Sequence, residues 1–501
     1  SDGGGNWTRI EVGDLPGVPD TAFVNDIKAD LFDADTVYVT LDNHKYGDFD
    51  PYVLKSTDRG RSWKSIVGDL PDRHLVWRVV QDHVKPGLMF AGTEFGIFFT
   101  LNGGRNWIKL EGGAPTISFR DVEIQRREND LVGASFGRGF FILDDYSPLR
   151  EITQDVLDGD GALFGARRAW WYIERGPLGL RPKASQGDAF YTAPNPPFGA
   201  VFTYYLPDTL KTQEKRRQER EKPLIEEGED TPFPGWETVR AEAKEADPAV
   251  ILTIRDSDGN VVRRISNGPT KKGFHRIAWD LRYPATQALG VEGSYAFPEV
   301  RNYMAAPGTY TAELAKRVNG VVTELAGPVT FEVERMTRGT LHEATAEEVV
   351  AFWKRIDDLR RKTTAVSQLL PKLDERMAHL GEALGRTQSA PDSLDAEYEA
   401  IRTALFDIKV DLNGTPEAEK VNLLEGPSVN DRLDVAITGN SFSTYGPTPT
   451  HRQQMDLAEQ QFASLKTRLV ELTESTIPAF EKRLAEAGGP WVPGMPLSVL
   501  D

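Results

Sequence analysis

The sequence predicts a multidomain chain, mainly β and then α: part of a β-propeller, then a β-sandwich, then a C-terminal antiparallel helical bundle. Three observations lead there. A tryptophan-ended turn motif occurs three times before Lys109. Short apolar runs bounded by Gly, Pro, Asn and Asp fill residues 200–335, which is how strands and their turns read. Apolar residues at 3–4 spacing then run through residues 343–490.

The fullest copy of the motif is Ser56-Thr57-Asp58-Arg59-Gly60-Arg61-Ser62-Trp63, or S-x-D-x-G-x-x-W. Strand-like residues precede it (Tyr52, Val53, Leu54) and follow it (Ile66, Val67), so a tight hairpin turn is expected. Asp58 can accept hydrogen bonds from turn N–H groups. Gly60 can take a positive φ without steric cost. Trp63 opens the return strand and brings a large ring whose N–H needs an acceptor. Asp2, Gly4 and Trp7 repeat the D-x-G-x-x-W part, and Thr100, Asn102, Gly104 and Trp107 repeat the whole with Thr for Ser and Asn for Asp. The offsets are 56 residues from Asp2 to Asp58 and 44 from Asp58 to Asn102. Units of that length, with about four strands each, point to propeller blades. A second repeat runs alongside: Gly92–Phe99 recurs as Gly133–Phe141, offset by 41 residues.

These residues resemble a known family. S-x-D-x-G-x-x-W is similar to the Asp-box, or BNR repeat, of sialidase-like and sortilin-like (Vps10-type) propellers. GASFGRGFFILDD, from Gly133 to Asp145, resembles the closing blade of bacterial sortilin-like repeat proteins. The resemblance covers residues 1–150 by motif and the remainder more loosely. It implies a bacterial, extracytoplasmic (periplasmic, secreted or cell-surface) propeller in which the Asp-box shapes turns away from the active face. It implies no particular chemistry, because enzymes and pure binding proteins both carry the box.

Composition narrows the field. With 39% hydrophobic and 27% charged residues the chain has the make-up of a soluble globular protein. No apolar run approaches the length of about 18 residues that a membrane-spanning helix needs. A net charge of −17 argues against nucleic acid as a partner. The absence of cysteine excludes disulfides, thiolate zinc sites and thiol catalysis. Ser1 falls inside a hairpin turn, so the reading expects the remaining propeller blades upstream or on another chain.

Taken in order, residues 1–145 are expected to be the C-terminal blades of an incomplete propeller, and 146–199 a connector rich in Pro, Gly and aromatics. Trp170 and Trp171 in the connector are expected to pack between domains. Residues 200–335 read as an Ig-like or FlgD-like β-sandwich, with Asp256-Ser257-Asp258-Gly259-Asn260 as a turn between two strands. A charged, partly helical insertion interrupts it at 206–248. In 343–490, Thr345 with Glu348 forms a capping box. The apolar stripe from Val349 to Leu384 follows, with Pro371 expected to kink it. A second stripe runs from Leu394 to Leu412 and ends at Asn413-Gly414. A third helix starts at Thr448-Pro449. Residues 426–447 read as a long loop and 491–501 as a tail.

Chemical motifs are sparse. Gly133-Ala134-Ser135-Phe136-Gly137 matches the G-x-S-x-G nucleophile elbow, but that motif needs a helix after it and a strand follows here. The loop Asp42–Asp50 gathers His44, Asp48 and Asp50 with aromatics. With Glu94 and Arg138 these are the candidate ligand-facing residues. A metal on His44, Asp48 and Asp50 is the less favoured alternative to a solvated loop. Arg78, Arg120 and Arg138 are available to a sialidase-like arginine cluster, yet no matching motif accompanies them. No carboxylate pair is marked for glycoside hydrolysis. No catalytic residue, cofactor or metal is therefore assigned. The reading is a binding or assembly protein recognising a protein or glycan. The alternatives are a sialidase-like or xyloglucanase-like glycoside hydrolase with its catalytic blades upstream, and a structural subunit of a larger envelope complex.

Overall fold

The computed structural model describes residues 4–174, 193–290, 302–337, 340, 343–421, 423 and 426–500. Asp2 of the first turn motif lies outside them. Three consecutive antiparallel sheets open the chain. The first holds β1 (Phe23–Ala29), β2 (Val37–Asn43), β3 (Asp48–Ser56) and β4 (Lys64–Ser65). The second holds β5 (Val76–Gln81), β6 (Met89–Thr93), β7 (Gly96–Thr100) and β8 (Ile108–Lys109). The third holds β9 (Phe119–Gln125), β10 (Asp130–Ser135) and β11 (Gly139–Leu143). Within each sheet, neighbours in sequence are neighbours in space.

The sheets stack because the middle sheet is apolar on both faces, its strands β6 and β7 being buried at every position, so that it packs against a neighbour on each side. Tyr38 and Val53 of the first pack against Val79, Met89 and Trp107 of the second. Phe90, Ile97 and Phe99 of the second pack against Phe119, Val122 and Leu131 of the third. The first strands of the three sheets also converge. Arg78 of β5 lies between Asp26 of β1, at 3.8 Å, and Asp121 of β9, at 3.0 Å. Lys28 of β1 reaches Glu123 of β9 at 3.5 Å. Meander sheets whose innermost strands meet around one polar line have the arrangement of propeller blades.

The turn motifs behave alike. Asp58 Oδ1 accepts from Ser62 N at 2.8 Å and from Ser56 Oγ at 2.8 Å, and Gly60 N donates to Ser56 Oγ at 2.8 Å. Asn102 Oδ1 accepts from Asn106 N and Thr100 Oγ1, both at 3.0 Å, and Gly104 N donates to Thr100 Oγ1 at 3.0 Å. Gly60 (φ 84°) and Gly104 (φ 91°) both occupy the left-handed region. At Gly104 a Cβ would stand 2.6 Å from Ile66 O of the preceding sheet, so glycine is needed for the sheets to approach there. The tryptophans differ. Trp7 and Trp63 donate to the carbonyl of their own turn glycine, at 3.0 and 3.1 Å, whereas buried Trp107 donates across to Ile66 O at 3.1 Å. Trp7 is 89% exposed.

Hydrogen bonds from the Ser62 hydroxyl and N–H and from Ser56 hold the Asp58 carboxyl down at about 2, against an ordinary 3.8. A depressed carboxyl stabilises the fold above its unfolded value and loses that contribution as pH falls through the folded one. Amide-exchange protection at Ser62 is therefore expected to hold above pH ~4 and to fall toward pH ~2. Asn at position 58 should flatten that pH dependence.

Residues 146–171 do more than connect. After a short turn at Ser147–Arg150 and α1 (Gln154–Asp158), β12 (Ala162–Leu163) pairs with β14 (Ala200–Leu206), and β13 (Ala169–Trp171) pairs in parallel with β19 (Val321–Arg335). The two sandwich sheets are β12-β14-β17 and β13-β19-β18-β15-β16, with β15 Ala249–Arg255, β16 Val261–Gly268, β17 Gly273–Trp279 and β18 Gly308–Val318. Phe202, Tyr204, Leu252, Trp279, Leu314 and Phe331 fill the space between them. Trp171 is buried with its indole N–H on Ala305 O at 2.8 Å, while Trp170 lies half-buried beneath the Arg168 guanidinium. Asp256 Oδ1 closes the 256–260 turn by accepting from the N–H groups of Asp258 and Asn260. The charged insertion forms α2 (Gln213–Glu226) and α3 (Trp236–Lys244).

The C-terminal part is helical: α4 (Ala346–Gly385), α5 (Asp392–Asn413), α6 (Pro416–Lys420), α7 (Val429–Ser441), α8 (Pro449–Glu471) and, after a π-helical turn at Leu472–Thr476, α9 (Ile477–Glu486). The capping box of Thr345 and Glu348 and the cap at Thr448 with Pro449 in the first turn are present. α4 runs on through Pro371, the residue expected to kink it. The loop and the tail expected from the sequence need correction. The expected 426–447 loop contains α7, because Ser428 and Asp431 form a reciprocal cap and Val429, Leu433 and Ala436 bury one face. Val492 and Met495 of the expected tail join the bundle core.

Candidate functional site

Strand direction puts the β2–β3, β6–β7 and β10–β11 turns at one end of the three sheets, and the S-x-D-x-G-x-x-W turns (β3–β4, β7–β8) at the other. The first end carries a continuous cluster. It is built by a repeated irregularity: each innermost strand bulges near its start. The register skips between Val24 and Asp26, between Val76 and Arg78, and between Phe119 and Asp121. The residues left over are Asn25, Trp77 and Arg120. A bulge re-aims its side chain out of the regular alternation.

These residues meet. The Arg120 guanidinium lies 3.6 Å from the Trp77 ring centre and 5.2 Å from that of Phe136, which is exposed in the β10–β11 turn. Trp77 Nε1 donates to Glu94 Oε2 at 3.0 Å, and Ser118 Oγ donates to the same oxygen at 2.9 Å. Arg120 Nε donates to Ser118 Oγ at 3.1 Å, and its Nη2 is 4.0 Å from Glu94. On the other side, the His44 ring stands edge-on to Trp77 at 5.8 Å and 73°. His44 Nδ1 is bonded to the buried Asp42 carboxylate, which fixes the proton on Nδ1 and leaves Nε2 for an incoming group. Phe23, Tyr46 and Phe95 extend the aromatic surface, with Lys45 over Phe23 at 4.3 Å and Phe95 against His74. Flat rings, a stacked guanidinium and an anchored carboxylate are groups whose chemistry can stack on planar or sugar-like faces and bond their hydroxyls.

Of the residues singled out in the sequence, His44 and Glu94 come together on either side of Trp77. Asp48 does not join them. It accepts from Tyr52 Oη at 2.8 Å, Asn43 Nδ2 at 3.2 Å and Asp50 N at 3.0 Å, and so shapes its own loop. Burial pushes its carboxyl up, but these bonds outweigh burial and hold it below the ordinary range. Asp50 is exposed, and Arg138 is exposed in the β10–β11 turn. Among the described residues no group of three or more His, Asp or Glu side chains is placed to hold a metal ion. Ser135 donates to Gly139 O inside a strand–turn–strand hairpin, which is not the strand–helix context of a nucleophile elbow. Arg78 is engaged by two carboxylates and Arg120 by Trp77 and Ser118, so the arginines serve separate partners. Burial raises the Asp26 carboxyl against the pull of Arg78 and Lys28, and its Oδ2 is buried without a hydrogen bond.

Trp77, Ser118 and Phe136 were missed from sequence, and Arg120 was singled out only as available to a sialidase-like arginine cluster. The available signal was repeat alignment: Trp77 and Arg120 hold equivalent places at the start of successive first strands, immediately before Arg78 and Asp121.

Among the described residues no helix is long and apolar enough to cross a membrane. No protein-family model matches the chain, and no curated protein matches it. Solved structures do. Ycf48 bound to a D1 peptide is 22% identical over 22% of this chain and 34% of its own, with a TM-score of 0.17. An ancestral GH74 enzyme is 15% identical over 62% of this chain and 36% of its own, with a TM-score of 0.21. PorZ, a surface component of the type-IX secretion system of Porphyromonas gingivalis, is 12% identical over 60% of this chain and 37% of its own, with a TM-score of 0.20. The chain thus spans about a third of the length of each of these structures.

Proposed function

We propose that the chain belongs to an extracytoplasmic bacterial binding or assembly protein, and that the bulged end of its blades recognises a protein or glycan ligand. The carrying observation is the Arg120 guanidinium stacked on Trp77 and flanked by Phe136, His44 and Glu94. Arg120 and Phe136 supply the exposed contact, and Glu94 and Ser118 hold Arg120 in place. The paired Ser/Asp/Gly and Thr/Asn/Gly turns support the Asp-box assignment and, with it, the sortilin-like resemblance. The sandwich and bundle are read as extensions of the same protein.

The test is retention on glycan and peptide arrays by the intact protein. The Arg120→Ala/Phe136→Ala double variant is expected to lose about tenfold or more in affinity, since aromatic and Arg anchors typically carry more than ~1 kcal/mol each. No glycan should be turned over. Turnover abolished by Glu94→Gln would instead establish the hydrolase reading.

A second reading rests on a separate observation. The outer face of the third sheet leaves Phe140 (76% exposed) and Ile142 (59%) uncovered, and Ile27 of β1 is 64% exposed. These faces fit further blades, on the same polypeptide or on another chain. The structural-subunit alternative would use the same surfaces.

A further inference from the structure

The charged insertion in the sandwich is a helical arm with a firm base and a bare tip. At the base, Leu210 N donates to Thr270 O at 2.8 Å, Lys272 N to Thr209 Oγ1 at 3.0 Å, and Gln213 N to Glu245 Oε2 at 2.7 Å. Thr212 caps α2 through Lys215 N. Midway, Arg217 clamps the two helices: its Nε and Nη2 donate to the Glu242 carboxylate at 2.8 and 2.7 Å, and its Nη1 to Glu221 at 2.9 Å. Neither helix has an apolar stripe of its own to hide; α2 has no buried residue. A helix polar all round stands in a domain for some reason other than core formation.

The tip is different. Ile225, Phe233 and Trp236 are 64%, 65% and 69% exposed, and the two rings pack edge to face at 5.3 Å and 71°. Flanking them in sequence are Glu226, Glu227, Glu229, Asp230 and Glu237, all exposed, with no Lys or Arg between Lys222, which lies 3.7 Å from Glu226, and Arg240. An aromatic anchor flanked by one sign of charge is the pattern of a steered contact: the rings fill a slot and the charges select the partner and speed its approach.

We propose that this tip docks a basic protein surface carrying an apolar slot, a contact independent of the ligand face described above. The sign of the charge chooses the occupant. A second copy of a chain with net charge −17 would be repelled, and so would an anionic lipid surface.

The experiment uses the whole chain with a short labelled helical peptide of leucine and lysine, against its serine and lysine counterpart. The leucine peptide is expected to bind about tenfold or more tightly than the serine one, and more weakly as salt rises. Phe233→Ala/Trp236→Ala should lose that difference. Lysine at positions 226, 227, 229 and 230 should abolish binding altogether, with the circular dichroism spectrum unchanged in both variants. Equal binding of wild type and variants, or of the two peptides, would overturn the proposal. So would tip-dependent self-association in light scattering, or tip-dependent binding to phosphatidylglycerol vesicles.

Discussion

Alanine in place of Arg150 is expected to destabilise the blade stack by about 3 kcal/mol, the lower end of what stranding one member of a buried ion pair costs. Asp82 follows β5 and is 0% exposed. Arg150 reaches it with two nitrogens, Nη2 to Oδ1 at 2.7 Å and Nε to Oδ2 at 3.0 Å, and its Nη2 also donates to Asn129 at 2.8 Å. Tyr146 Oη at 2.7 Å and Lys85 N at 2.6 Å complete the cage. Those neutral donors remain in the variant, which is why the cost falls short of the upper end. Burial pushes the Asp82 carboxyl up, and the bonds from Arg150, Tyr146 and Lys85 more than reverse it. Its stabilisation is thus present above the unfolded value and lost as pH falls through the folded one. Without Arg150 the folded value rises, so acid unfolding should begin at higher pH. Lysine should recover only part of the loss, since it lacks the two-pronged geometry. Denaturant unfolding followed by tryptophan fluorescence, with an acid titration beside it, measures both. An unchanged acid limb would mean that Asp82 is held by the neutral donors alone.

The position of that network shows what sequence could and could not supply. The turn motifs were legible because their function is local: Ser56, Asp58 and Gly60 bond within a few residues, so residue type and spacing determine the geometry. Helix ends were legible for the same reason at Thr345, Thr448 and Gly414. α7 was not, because Gly439 and Asn440 near its end lower its local helix preference and its buried face, Leu433 and Ala436, packs into the bundle core. The cluster at the bulged end of the sheets was half legible. His44 and Glu94 stood out as polar residues in turns. Trp77 did not, and Arg120 was noted only as one arginine among three, because nothing local announces a bulge in a strand that otherwise alternates. The contact between them joins successive sheets, and only comparison of one first strand with the next would have paired them.

The second large effect belongs to the bundle. Glu481 of α9 is 1% exposed, among Phe480, Leu484 and the core of α4. Arg376 of α4 meets it with Nε and Nη2, both at 2.7 Å, and Nη2 also donates to Gly494 O at 3.0 Å. One guanidinium therefore joins α4, α9 and the segment after α9. Arg376→Ala leaves a carboxylate in an apolar interior, and a loss of about 3–5 kcal/mol is expected, read as a lower denaturant midpoint of the helical transition by circular dichroism at 222 nm. The pair need not be a net source of stability, because desolvating both charges costs about as much as their attraction returns. That distinction is measurable. Arg376→Met/Glu481→Leu removes both charges and keeps most of the volume, so it should recover to within about 1 kcal/mol of wild type or exceed it. If the double variant were as unstable as Arg376→Ala, the loss would lie in packing and in the Gly494 bond, and the buried charge would not be its cause.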